Sequence, residues 1–187
     1  MAKIVAAYAR SKEKIVMGCA STALAASIYQ GNFFTAHSLF KIPVLENEEE
    51  DLDQQNDLQC NLDKHPNRMH LLNETTVFIW DEISSQNVRD FSAAYRAMNS
   101  FENKVIILMG DKMQIAPVVK FGTKQQILAA SIYTSQYMDI FEPIHFSQNL
   151  RLVTSEDPNQ ELYAKTLLEI GKGNHIINLL PIILIPK

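Results

Sequence analysis

Cysteine is scarce in this sequence. Cys19 and Cys60 are the only two in 187 residues, with no CxxC and no Cys/His pairing, so neither a disulfide framework nor a zinc site is indicated. Six glycines and seven prolines are too few for a fibrous or low-complexity chain. No long apolar run exists either. Ile176 to Pro186, the most apolar stretch of the tail, is too short to span a bilayer and contains Pro181, so no membrane association is expected. Residues 1–14 carry several charges and lack an apolar core, so no signal peptide is visible and an intracellular, reducing compartment is expected. There is no excess of positive charge. A net charge of −4 argues against a protein that coats nucleic acid, while leaving room for a local basic groove. Basic residues dominate 1–41, whereas Glu46 to Asp63 is acidic and holds no basic residue before Lys64.

What the sequence does contain is an alternation of short apolar runs and helical patterns over a length that suits one domain. Ala2 to Arg10 has helical composition, and Ile15 to Ser21 reads as a strand entering a turn. Ala23 to Tyr29 returns to helix, and Thr35 to Pro43 reads as an ordered loop or short helix. Residues 45–63 read as an exposed acidic insertion. A central strand at 77–80 precedes a helix from about Ser85 to Met98, with Val88, Phe91, Ala94, Tyr95 and Met98 on one stripe. Lys104 to Met109 reads as a second buried strand, residues 124–132 and 158–170 as helices, and Ser147 to Leu152 as a strand. Such alternation predicts an α/β fold with a mainly parallel, three-layer sheet.

The pattern turns on residues 77–82, Val-Phe-Ile-Trp-Asp-Glu. A strand buried on both faces has no use for two charges, so Asp81 and Glu82 are expected just past its carboxyl end, where open α/β sheets bind ligands. One carboxylate can hold a hydrated Mg²⁺ while its neighbour orients a water, as nucleotide hydrolysis requires. An acidic turn with no chemistry is the blander alternative. Gly110-Asp111-Lys112-Met113-Gln114 repeats the arrangement, with an amide that can bond a phosphate or a water but cannot titrate. An exposed turn is again the alternative. Arg151, in Gln148-Asn149-Leu150-Arg151, can clamp a phosphate bidentately or simply sit on the surface. Ser21, Thr22, His37 and Ser38 lie in small-residue segments whose hydroxyls and imidazole can reach the phosphates and sugars of a single strand; a lone His37 is more often a satisfied local hydrogen-bonder.

In their order, these segments resemble the Pif-type DNA helicases, including the helicase module of Helitron transposons. The resemblance runs through residues 15–43, Phe78 to Ser84, Gly110 to Val119, Gln148 to Leu152 and Leu167 to Gly173. It implies a RecA-like domain of an ATP-driven motor that moves 5′ to 3′ on single-stranded DNA. Asp81 would ligate Mg²⁺, Glu82 activate water, Gln114 sense the γ-phosphate and Arg151 act as an arginine finger. Together these four residues would bind ATP. Ser21, Thr22, His37 and Ser38 would line the DNA path. The family further implies a nuclear or mitochondrial setting, work in DNA repair, recombination and telomere maintenance, and a monomer.

Three departures shape the expectation for this chain. No G-x-x-x-x-G-K-[ST] phosphate cradle occurs among its six glycines, and a second RecA-like domain with its late motifs is expected to be missing. The family arginine ahead of the motif glutamine is replaced by Met113. The expectation is therefore a truncated motor domain with negligible ATPase alone. A non-catalytic module binding single-stranded DNA or protein is the alternative.

Overall fold

A computed structural model describes residues 1–29, 33–44, 58–99, 103–112, 114–146 and 159–173. Residues 1–141 and 142–187 form two compact units. In the first, helix α1 (Ala2–Ser11) leads to strand β1 (Val16–Ala20), short helix α2 (Ala23–Ser27), strand β2 (Phe33–Thr35) and helix α3 (Ala36–Phe40). Helix α4 (Pro66–Glu74), strand β3 (Val77–Asp81), helix α5 (Val88–Asn99), strand β4 (Val105–Leu108) and helix α6 (Lys124–Ala129) follow, then two short 3₁₀ turns. The second unit contributes helix α7 (Gln160–Gly171).

The four strands form one parallel sheet in the order β2-β1-β3-β4. Alternation along β1 and β3 serves two cores. Met17, Cys19, Phe78 and Trp80 point to one face, where α3 and α5 supply Leu39, Phe40, Phe91, Ala94, Tyr95 and Met98. Val16, Val77 and Ile79 point to the other, covered by Ala2, Ala6 and Ala9 of α1. Side chains buried on both faces explain why the strands read as continuous apolar runs. Helices on both faces make the three layers, and the architecture is the parallel α/β fold the pattern predicts, RecA-like as the resemblance implies.

Several expectations need correction. Residues 58–63 do not belong to an exposed insertion, because Leu58 and Leu62 are buried in the larger core. Two apolar residues four apart can anchor a polar segment even where most neighbours are charged. The expected exposed stretch at 45–57 lies outside the described residues. The sequence pattern marks neither strand β2 nor helix α4. A three-residue strand carries too little periodicity to detect, and α4 has a weak apolar stripe with one buried residue, Leu72. Strand β4 is less buried than expected: Val105 is 54% exposed, since β4 has a neighbour on one side only among the described residues. Helix 23–29 ends two residues early, at Ser27, and the 124–132 helix breaks at Ala130 into a 3₁₀ turn.

Candidate functional site

The carboxyl end of β3 is a change of environment within one peptide bond. Trp80 is 1% exposed, whereas Asp81 is half-buried and pairs with Ala20 as the last rung of the β1–β3 ladder. Asp81 Oδ1 accepts the Glu82 backbone N–H at 2.9 Å, and Oδ2 accepts the Tyr29 hydroxyl. Both oxygens are therefore held and the carboxylate plane is fixed. Glu82 adopts a left-handed conformation (φ 54°, ψ 35°), which costs a non-glycine residue of order 1 kcal/mol and persists only where neighbours enforce it. Here the enforcement is visible. The Glu82 carbonyl accepts the Ser21 hydroxyl at 2.7 Å and the Ser85 hydroxyl at 3.0 Å. This turn sends the chain into the 3₁₀ segment Ile83–Ser85 and leaves the Glu82 side chain half-exposed.

The tip of β4 is stitched to this turn. Met109 donates its N–H to the Trp80 carbonyl at 2.8 Å, and Ile83 donates to the Met109 carbonyl at 3.0 Å. Gly110 permits the approach: a Cβ there would lie 3.0 Å from Ile83 Cγ2 and 3.1 Å from the Ser84 nitrogen. Gln114 follows four residues later with an exposed side chain, its backbone N–H donating to the Asp111 carbonyl at 3.1 Å.

Tyr29 was not among the candidates, because it reads as the end of a helical pattern. Its ring stacks on Phe33 at 4.0 Å between centroids, and Phe33 in turn covers Gly18 of β1. A Cβ on Gly18 would fall 2.3 Å from the Phe33 ring, so this glycine makes room for the aromatic pair. Burial raises the Tyr29 pKa, and the hydrogen bond to Asp81 and the nearby Glu82 charge raise it further. The phenol therefore stays a donor at neutral pH and steadies the carboxylate.

The remaining candidates divide. Ser21 joins the Asp81–Glu82 turn, while Thr22 caps α2, accepting the Ala25 N–H at 3.2 Å. His37 faces elsewhere: its Nε2 lies 3.6 Å from Asp90 Oδ2, which also accepts Gln86 Nε2 at 3.0 Å. Ser38 is exposed and donates its N–H to Thr35 Oγ1 at 3.2 Å. Arg151 and the expected strand 147–152 lie outside the described residues. The structure thus gathers Ser21, Tyr29, Asp81 and Glu82 at the carboxyl end of the two central strands. No group of three or more His, Cys, Asp and Glu side chains among the described residues could cage a metal. An open pair of carboxylates at a strand tip nevertheless fits Mg²⁺, which keeps most of its waters and takes one or two carboxylates together with substrate phosphates.

With that geometry in place, the family model described as PIF1-like helicase matches residues 1–178. This chain belongs to the PIF1-like helicase family. No curated protein sequence matches it. Among solved structures it is similar to the Pif1 helicase of Candida albicans, at 21% identity and a TM-score of 0.64 over 90% of this chain and 36% of that one. It is also similar to a Bacteroides Pif1 in complex with ADP-AlF4, at 20% identity and TM-score 0.59 over 92% of this chain and 40% of that one. A Bacteroides Pif1 bound to ssDNA matches at 19% identity and TM-score 0.59 over 89% and 39%. The chain therefore spans well under half of these helicases.

Proposed function

We propose that this chain is the first-motor-domain portion of an ATP-dependent DNA helicase that moves 5′ to 3′ on single-stranded DNA. The observation that carries the reading is the Asp81–Glu82 turn, a fixed carboxylate beside a freer one at the carboxyl end of a doubly buried strand. Asp81 would hold Mg²⁺ jointly with the phosphates of ATP, the ion supplying charge neutralisation at the γ-phosphate. Glu82, on its strained turn, would orient the attacking water and accept its proton. Gln114 would report the state of the γ-phosphate, and Arg151 would offset charge in the transition state. Ser21, Thr22, His37 and Ser38 would border the DNA path, so that Ser21 links DNA contact to the Glu82 turn through its 2.7 Å bond. Work in DNA repair, recombination or telomere maintenance, or in Helitron mobility, in the nucleus or a mitochondrion and as a monomer, is the family setting we extend to this protein.

The sequence holds no phosphate-cradling loop, so this chain supplies the magnesium and water half of a site whose other half comes from elsewhere. Alone with single-stranded DNA, it is expected to release phosphate from ATP no faster than a Glu82→Gln control. Joined to a strand, a G-x-x-x-x-G-K-[ST] loop and a second motor domain from a PIF1-like helicase, it is expected to hydrolyse ATP when DNA is added. A folded, DNA-binding fusion with no hydrolysis above its Glu82→Gln counterpart overturns the proposal. The absent loop also favours a second reading, a module that binds single strands without catalysis. Salt-sensitive DNA binding, indifferent to ATP and Mg²⁺ in that same fusion, would select it.

A further inference from the structure

Asp81 is held by a residue that lies 52 positions earlier in the chain. Tyr29 closes the turn after α2, its backbone N–H donating to the Ala26 carbonyl at 3.2 Å, and its hydroxyl donates to Asp81 Oδ2. The ring that carries this hydroxyl is itself supported. It stacks on Phe33 with an interplanar angle of 17°, and Phe33 sits opposite Gly18 in the β1–β2 register, over the space that glycine leaves open. Ala20, Ala25 and Ala26 pack against the same phenylalanine. The phenol is therefore delivered to Asp81 by α2, β1 and β2 together.

An ionised carboxylate has two lone pairs on each oxygen. At Asp81 one pair on Oδ1 is taken by the Glu82 N–H at 2.9 Å, and one on Oδ2 by the phenol. The two donors come from different parts of the chain, and together they stop the carboxylate from turning. Divalent ions respond differently to such a ligand. Ca²⁺ gathers more oxygens at longer distances and often takes a carboxylate by both oxygens, whereas Mg²⁺ needs only one oxygen and keeps several waters. To grip Asp81 by both oxygens, an ion must compete with both donors at once. To take one oxygen through its free lone pair, it need displace neither. The phenol oxygen also keeps lone pairs that can accept a hydrogen bond from a water on the ion, and the half-exposed Glu82 carboxylate offers a second acceptor.

We propose that Tyr29 is a positioning residue that sets the metal preference of this site, restricting Asp81 to one-oxygen ligation and so favouring hydrated Mg²⁺ over Ca²⁺. The proposal rests on the reading of Asp81 as a magnesium ligand. It adds that the choice of ion is made outside the strand tip, by a side chain that acts only through Asp81.

The test is a ¹H–¹⁵N titration of the 187-residue chain with MgCl₂ and, separately, CaCl₂ at constant ionic strength, with affinities read from the amides of residues 81–83. Asp81→Asn identifies the shifts that belong to the site. In the parent chain Mg²⁺ should bind no more weakly than Ca²⁺. Tyr29→Phe keeps the ring and its stack on Phe33 but removes the donor, and should raise Ca²⁺ affinity about tenfold relative to Mg²⁺, the lower end for a partner of a metal ligand. Phe33→Leu leaves the hydroxyl and removes its support, and should shift the ratio in the same direction by less. A purely structural role for Tyr29 would change both affinities alike. A Mg²⁺ to Ca²⁺ ratio unchanged in Tyr29→Phe therefore overturns the proposal while leaving Asp81 as the ligand. No shift with either ion, or shifts that survive Asp81→Asn, overturn it together with the magnesium role of Asp81.

Discussion

Asp81 and Gln114 each follow an apolar strand, and the two positions are held in opposite ways. Asp81 ends a strand with neighbours on both sides, and hydrogen bonds from Tyr29 and Glu82 fix both its oxygens. Gln114 follows β4, which has a partner on one side only among the described residues, and its side chain is exposed. The contrast runs down into the strands. β3 is buried along Val77 to Trp80, while β4 begins with an exposed valine and is half-buried thereafter. A polar group beyond a strand is positioned by the elements around the tip as much as by the strand itself. The β1–β3 tip has them within this chain. The β4 tip has Ile83 and Ser84 on one side, and its other edge is open among the described residues.

The largest test of this contrast is deletion of a side chain on each strand. Trp80→Ala should cost about 3–5 kcal/mol, because Trp80 is packed against Phe40 and Phe91 at centroid distances of 5.6 and 5.7 Å. Val105→Ala should stay within about 0.5 kcal/mol, as for other exposed positions. Urea unfolding of the two variants beside the parent chain measures both. A Val105→Ala loss approaching that of Trp80→Ala would mean that the β4 edge is covered after all.

Much of the fold was legible because burial on both faces leaves an unambiguous trace. Val16 to Ala20 and Val77 to Trp80 are unbroken apolar runs, and Phe91, Ala94, Tyr95 and Met98 recur at helical spacing. Asp81 and Glu82 stood out for the same reason, as charges directly after a run that excludes charge. Tyr29 did not, since nothing local marks a tyrosine whose partner lies 52 residues away. His37 likewise reads as a DNA-path candidate or a local hydrogen-bonder, and only the packing of α3 on α5 brings it to Asp90. Leu58 and Leu62 were hidden by their acidic surroundings. Contacts between elements, rather than propensities within them, account for each of these gaps.

A middle-sized effect separates the two tips through their glycines. Gly18→Ala puts a methyl 2.3 Å from the Phe33 ring, so the ring must shift and its stack on Tyr29 with it. A cost of about 1–3 kcal/mol is expected, the range for overpacking. Gly110→Ala meets Ile83 and the Ser84 nitrogen at 3.0 and 3.1 Å, distances that a few tenths of an ångström relieve, so its cost should be smaller. Thermal unfolding of the pair ranks them. Equal losses would show that the β4 tip is as tightly built as the β1–β3 tip.

The smallest expected effect compares two tyrosines, one beside each tip. Tyr29 donates to Asp81, and Tyr133 lies in the field of Asp111. Burial is the first cause of a raised pKa in both, followed by the neighbouring carboxylate. A phenol whose folded pKa exceeds its unfolded value of about 10 keeps its proton in the native state after the unfolded chain has released it. Its stabilisation is therefore complete below pH 10 and drains away as pH rises above 10 towards the folded value. Tyr29→Phe removes a hydrogen bond to a charged acceptor, worth about 1.5 kcal/mol at neutral pH, and should flatten the alkaline fall in stability. Tyr133→Phe loses no such bond to a carboxylate among the described residues and should flatten it less. At Tyr133 a single carboxylate, Asp111, adds to the effect of burial, whereas at Tyr29 the Glu82 charge adds to that of Asp81. Urea midpoints measured across the alkaline range for parent, Tyr29→Phe and Tyr133→Phe decide the matter. If the two variants flatten the curve equally, the Tyr29–Asp81 bond is not the constraint that distinguishes the first tip from the second.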